Sequence, residues 1–357
     1  MDRPVSLERA VRAWGRTAFS FDVLEAPDGY AFHESTRVPG AIVPYRRVGR
    51  VDAVMGEPLA PIEAMEDVTR EFLDTRAALR RRVVGFCASE EFARAAAAHG
   101  AAAAQITGEP EIDPATYEPV GGSAKKLRVY ARRLLRAGVQ GMALPAGPRR
   151  FDPGFQRAAE EIVAAWKERA RGTSAHIMEI DLWKLAEEKR FFAVSDPKSS
   201  DRLWSLLVAH PVYGNEGWHL CHLMRHPDAP KGVNELAVLT AIETLGDEGV
   251  RYATFGPYAV PNAGEFIGFG RRAERVVRWA YDIAATQIGY GSSVEFYRKI
   301  QAGPWRPRYL VIWPRRALVR GFYTMTRLAH VFGFLEGRTA RGASPATAPS
   351  RDETAPA

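Results

Sequence analysis

One stretch constrains this chain more than any other. From Trp218 to Leu245, WHLCHLMRHPDAPKGVNELAVLTAIETL reads as a strand, a loop holding Pro227, Pro230 and Gly232, and a long apolar helix. Side chains alternate faces along a strand and recur with helical spacing along a helix, so the change of rhythm has to fall in that loop. A strand that turns directly into a helix leaves free N–H groups and the positive end of the helix dipole at the helix start, which attracts anions. Lys231 and Gly232 stand at that place, the first adding charge and the second permitting close backbone approach.

The surrounding pattern tells which kind of fold carries this unit. The runs AFSFDVLE, GYAFHES, GAIVPYR and GRVDAVMG, separated by turn residues, read as an antiparallel meander from Ala18 onward. A helix from Ile62 to Leu79, the strand RVVGFCAS, an Ala-rich helix from Glu90 to His99, the strand AAAAQITG and a basic amphipathic helix from Lys125 to Arg136 follow. Pro and Gly concentrate between Ala143 and Gly154, the best boundary. After it the pattern predicts a helix over Phe155–Arg169 and strands over Ala175–Ile180, Arg190–Val194, Leu203–Val212 and Gly217–Arg225. A helix over Gly232–Asp247, a strand over Arg251–Phe255, helices over Glu274–Gln287 and Ser293–Gln301 and a strand over Arg308–Trp313 complete it. Antiparallel strands, a helix, a strand, a helix and a last strand is the order of the GNAT fold. The expected class is therefore α/β, a tandem GNAT with two mixed, mostly antiparallel sheets and packed helices. One unit is expected over residues 1–145 and a second, catalytic one over 155–335. The tail 337–357 is rich in Ala, Pro, Ser and Thr and buries too little apolar surface to order itself.

With 357 residues the chain suits two domains, and 46% hydrophobic with 25% charged residues is an ordinary globular composition. The formal charge of +7 leans toward polyanionic partners. Cys87 and Cys221 lie in apolar, strand-like surroundings without metal spacing, which argues against a disulfide framework and for a reducing cytoplasm. The start, MDRPVSLERAVRAWGR, lacks an apolar core, and no apolar run reaches the roughly 18 residues of a membrane span, which argues against secretion and membrane spanning.

Two sets of motifs carry a family resemblance. The first is His222-Leu223-Met224-Arg225, then Pro230-Lys231-Gly232 and Asn234-Glu235; the second is Phe296-Tyr297-Arg298-Lys299-Ile300, then Pro304-Trp305 and Arg308-Tyr309-Leu310. In this order they resemble the catalytic part of the phosphatidylglycerol lysyltransferase family, with weaker echoes at Gly56-Glu57-Pro58 and from Gly108 to Gly138. Where the family keeps an aspartate this chain has His222, and Glu235 stands where Asp is usual. The resemblance implies aminoacyl transfer from aminoacyl-tRNA, a co-substrate already activated as an ester, to a lipid such as a phosphatidylglycerol-like, diacylglycerol or sterol acceptor, or to another hydroxyl. It implies no metal and no other cofactor. It also implies Arg225, Lys299 and Arg308 as cations for the tRNA terminus or the oxyanion, and His222 or Glu235 as base. Lys231, Gly232, Trp305, Arg308 and Tyr309 are the expected substrate-binding residues.

Plainer readings stand beside these. Strict alternation along Gly217–Arg225 puts His219, Cys221 and Arg225 on one face and Trp218, Leu220, His222 and Met224 on the other, which disfavours a zinc site and a Cys221 nucleophile. Glu235 is also a dipole-complementing residue of a first turn, Arg225 a partner for Asp228, and the basic helix Lys125–Arg136 a solvated face or a tRNA patch. The segment from Arg315 to 335 has the composition of an interfacial helix, so peripheral contact at the inner face of a membrane is a further expectation. The competing functions are an acetyl-CoA-type N-acyltransferase, against which the missing Arg/Gln-x-x-Gly-x-Gly/Ala signature speaks, and a non-catalytic binding protein derived from the fold.

Overall fold

The computed structural model describes residues 6–144, 151–169, 180–196, 198–260, 263–288, 296–297, 299–300 and 302–317. The expected strand before Ile180, most of the helix over Ser293–Gln301, the helix beyond Ala317 and the tail lie outside these residues.

The first half carries α1 (Leu7–Trp14), α2 (Asp22–Glu25), β1 (Ala31–Glu34), β2 (Ile42–Val48), β3 (Val51–Met55), α3 (Met65–Ala78), β4 (Arg82–Ala88), α4 (Glu90–Ala98), β5 (Ala102–Ile112) and α5 (Lys125–Arg136). Then come β6 (Gly141–Leu144), α6 (Pro153–Arg169), β7 (Arg190–Asp196), β8 (Ser199–Val212), β9 (Gly217–Arg225), α7 (Val233–Asp247) and β10 (Ala253–Thr254). The short β11 (Tyr258–Ala259) and β12 (Phe266–Ile267), α8 (Arg271–Ile288) and β13 (Trp305–Trp313) follow. The run AFSFDVLE is not a strand. Phe21, Val23 and Leu24 of its helical turn bury against Leu7, Ala10 and Val11 of α1, and that docking overrides the alternation.

Where two sheets are expected, the strands form one continuous sheet along the path β1-β2-β3-β4-β13-β5-β10-β9-β8-β7-β6, with β11 and β12 paired beside β5; the halves join edge to edge at β5 and β10. Among the described residues only β3/β4 and β9/β10 pair in parallel, each with a helix, α3 or α7, in the crossover. The chain exchanges strands between halves. β13, last in sequence, lies between β4 and β5 of the first half, whereas β6 pairs with β7 of the second. Leu310, Val311 and Ile312 are all buried, so β13 needs a covered sheet on both of its faces and a neighbour on each side, which the central slot supplies.

The apolar side chains of α7 are buried on more than one side. Leu236, Ala237, Val238, Leu239, Ala241, Ile242 and Leu245 are buried, because the sheet covers one side of the helix and Leu127, Ala131 and Leu134 of α5 belong to the same core. The cations Lys125, Lys126, Arg132, Arg133 and Arg136 of α5 stay exposed, while Arg128 donates to the carbonyls of Pro119 and Gly121 at 2.6 and 2.9 Å.

One loop of the first half depends on a single carboxylate. Glu71 of α3 accepts from Ser35 Oγ at 2.5 Å, Thr36 N at 2.8 Å and Thr36 Oγ1 at 2.6 Å. Burial raises the Glu71 carboxyl, but these hydrogen bonds outweigh it and bring the group down to about 2. A depressed carboxyl contributes stability above the unfolded value of about 4.3 and loses it as pH falls toward the folded value. Glu71→Gln is therefore expected to be less stable than wild type near neutrality by about 1 kcal/mol, a charge-assisted contribution discounted for solvent screening. Urea midpoints should show the gap narrowing from about pH 5 downward; a gap independent of pH would contradict the assignment.

Candidate functional site

β9 and β10 pair in parallel at Trp218↔Ala253 and His219↔Thr254. On the α7 side, aromatic rings gather around Tyr297, with Phe255 at 4.9 Å, Tyr258 at 4.4 Å, Phe296 at 5.6 Å and Trp305 at 6.3 Å between centroids. Trp305 is anchored by its indole N–H, which donates to Ala302 O at 3.1 Å. Beside this cluster Lys299 Nζ donates to Glu235 Oε1 at 3.2 Å and stands 5.4 Å over the Phe296 ring. Two motifs far apart in sequence thus meet. Glu235 is in the first turn of α7, where its charge also complements the helix dipole. Burial raises both the Tyr258 and Tyr297 phenols, and a hydrogen bond joins them, so the pair stays neutral with one hydroxyl proton left to donate.

The other expected residues are placed differently. Arg225 donates through Nη2 to Ala229 O, bracing the loop that leads to α7; Asp228 pairs with Arg202 at 2.7 Å instead. Lys231 is exposed at the loop tip, but Gly232 is buried with φ +103°, and a Cβ there would come within 2.7 Å of Tyr130 Cβ. The close approach that this glycine permits is that of α5. Arg308 is 2% exposed and pairs through Nε and Nη2 with the buried Glu109 at 2.5 Å. Tyr309 belongs to the core of the first half and donates to Glu265 Oε2 at 2.8 Å. Arg308 and Tyr309 thus take their partners from Glu109 and Glu265 rather than from the Glu235–Lys299 pair.

His222 stands on the opposite face from α7. A bulge between Val208 and Ala209 pairs Val208 with His222 and Ala209 with Leu220, leaving Cys221 as the extra residue. The bulge resets the alternation: Leu220 keeps to the α7 core, while His222 shares a face with Val208 and Met224, which pack in the α6 core. The expected separation of Cys221 from His222 is thereby overturned, with Cys221 Sγ 3.4 Å from His222 Nε2 and 3.6 Å from Nδ1. His210 of β8 completes the group, its ring 5.4 Å from that of His222. Burial holds His210 and His222 far below the ordinary histidine value, with Lys189 adding to the effect, and burial pushes the Cys221 thiol up. The two imidazoles are neutral and the thiol protonated near pH 7. Sequence reading missed His210 in β8 and the Tyr258–Tyr297 pair.

At the far end of β13, a basic cleft of about 820 Å³ is lined by Arg80, Arg81, Arg82, Arg316 and Trp313 among others. Among the described residues no helix is long and apolar enough to cross a membrane.

Comparison with known proteins decides the family. The model of the family described as phosphatidylglycerol lysyltransferase, C-terminal, matches residues 20–312. The chain belongs to this family. Membership places it among transferases with an acyltransferase-like GNAT fold. Among solved structures, L-PGS from Bacillus licheniformis superposes with a TM-score of 0.71 at 18% identity, over 92% of this chain and 97% of that one. The C-terminal domain of a putative lysylphosphatidylglycerol synthetase from Agrobacterium fabrum gives 0.65 at 15% identity, over 90% and 96%. A conserved protein of unknown function from Bacteroides thetaiotaomicron gives 0.53 at 10% identity, over 87% and 96%. These likenesses concern the fold. Curated protein sequences yield no significant match.

Proposed function

We propose that this chain moves an aminoacyl group from aminoacyl-tRNA to a hydroxyl of a lipid headgroup of the phosphatidylglycerol type. The observation that carries the reading is the family match across residues 20–312, which spans Glu235 and Lys299 and the aromatic cluster beside them. The headgroup oxygen forms a bond to the ester carbonyl carbon, the bond from that carbon to the tRNA ribose oxygen breaks, and the hydroxyl proton passes to the ribose. The ester is already activated, so positioning and charge stabilisation suffice. Lys299, held by Glu235, supplies positive charge for the oxyanion, and the hydrogen-bonded Tyr258–Tyr297 pair supplies a neutral donor. The basic cleft of Arg80, Arg81, Arg82 and Arg316 and the exposed cations of α5 are the surfaces suited to the tRNA backbone or an anionic bilayer. The acetyl-CoA alternative requires open amides at the start of α7, and Tyr130 beside Gly232 weighs against it.

Purified chain is to be incubated with tRNAs charged with labelled amino acids and vesicles containing phosphatidylglycerol. Label is expected to enter the lipid phase for at least one amino acid. Absence of labelled lipid with every charged tRNA, together with acetyl-CoA turnover on an amine, would replace the proposal by the N-acyltransferase reading.

A further inference from the structure

The cluster on the α6 face of the sheet is not used by the transfer chemistry. One ring nitrogen of His210, Sγ of Cys221 and one ring nitrogen of His222 all lie within 4.8 Å of one another. In a tetrahedral zinc site, with bonds of about 2.3 Å to sulfur and about 2.0–2.1 Å to nitrogen, sulfur and nitrogen ligands are about 3.5 Å apart and two nitrogens about 3.3 Å. The Cys221–His222 separation of 3.4 to 3.6 Å is already at that value, and His210 has to move little more than an ångström. The carboxylates behind the ring orient it. His210 is 2% exposed, and its Nδ1 faces Asp22 at 3.6 Å and Glu25 at 4.0 Å, short of a hydrogen bond to either. A small shift of the ring onto a carboxylate satisfies that buried nitrogen.

We propose that His210, Cys221 and His222 form a binding site for a zinc-type divalent ion, with the fourth position open to water. Cys221 and His222 are half-buried whereas His210 is sealed, so an ion enters from their side. Each histidine binds through one nitrogen, and the other nitrogen of His210 is left to hydrogen-bond to Asp22 or Glu25, as metal-bound histidines ordinarily do with carboxylates. Asp22 and Glu25 place negative charge behind His210, partly offset by Lys189, which donates to Glu25 at 2.5 Å. Binding of a dication releases the thiol proton. The bulge in β9 is the device that makes this possible, since an unbroken strand would send Cys221 and His222 to opposite faces.

The test uses the full chain stripped with chelator and titrated with Co²⁺, then Zn²⁺. Wild type is expected to develop a thiolate-to-cobalt charge-transfer band with tetrahedral visible bands at one equivalent, displaced by Zn²⁺. Cys221→Ser should abolish the thiolate band, His222→Ala should weaken binding at least tenfold, and Cys87→Ser should leave both unchanged. Circular dichroism establishes that each variant is folded, and His222→Ala provides a second arm should Cys221→Ser fail that criterion. Absence of the band in folded wild type, or its persistence in Cys221→Ser, overturns the proposal. Because the readout is spectroscopic and needs neither tRNA nor lipid, its outcome is separate from that of the transfer assay.

Discussion

Arg308→Ala is expected to lower folding stability by about 3–5 kcal/mol, the loss typical of breaking one side of a buried ion pair. Arg308 is 2% exposed and the Glu109 side chain 1%, so truncation leaves a carboxylate in the interior with its charge uncompensated. Glu57 is a second buried acid that shares this part of the interior, with Arg16 at 3.1 Å as its own partner. Glu109→Ala should cost a similar amount, and the double change Arg308→Met with Glu109→Leu should recover most of it, since two apolar side chains fill the space without a stranded charge. Urea unfolding of the three variants is the measurement. A loss below ~1 kcal/mol for Arg308→Ala, accompanied by a raised KM, would instead mark Arg308 as a substrate-binding residue, the role its family position implies.

Lys299→Met is expected to reduce the rate of aminoacyl transfer by about 10²–10³-fold, the range found when a preorganised oxyanion donor is removed. The side chain is 21% exposed and Glu235 only 10%, so the ammonium is held at the edge of the protein interior, where its charge is weakly screened. Because the charge that it stabilises develops in the transition state, the loss should fall on kcat and leave KM for lipid nearly unchanged. Glu235→Gln keeps the shape but weakens the hold on Lys299, and a smaller loss of about tenfold is expected, near 1.4 kcal/mol of barrier. Single-turnover transfer with wild type and both variants, each checked for folding by circular dichroism, separates the cases. Rates within ~3-fold of wild type for Lys299→Met would remove Lys299 from the chemistry.

Helices were the most legible part of the chain. α5 spans the predicted Lys125–Arg136, and α4 and α7 begin or end within a residue or two of the predicted bounds, because apolar positions at helical spacing report a buried stripe directly. Strands were legible where alternation was unbroken. AFSFDVLE failed since its apolar residues dock on α1, a partner that local pattern does not reveal. Of the site, the resemblance names Glu235 as a base and Lys299 as a cation, and only the structure pairs them; Arg308 and Tyr309, expected among the substrate-binding residues, belong to other surroundings. A motif names residues without saying which side of a strand they take.

By itself the sequence determined the fold class, most of the helices and the family, since periodicity and motif order are local properties that survive without any knowledge of neighbours. Only the tertiary structure decided who meets whom. The insertion of β13 between β4 and β5 carried Arg308 into the first half. Tyr130 took the place beside Gly232 that sequence reading reserved for a phosphate. One extra residue in β9 turned His222 away from Glu235 and toward Cys221 and His210. Each of these depends on strand register and on packing between segments distant in sequence, and neither composition nor spacing along the chain encodes a register in legible form.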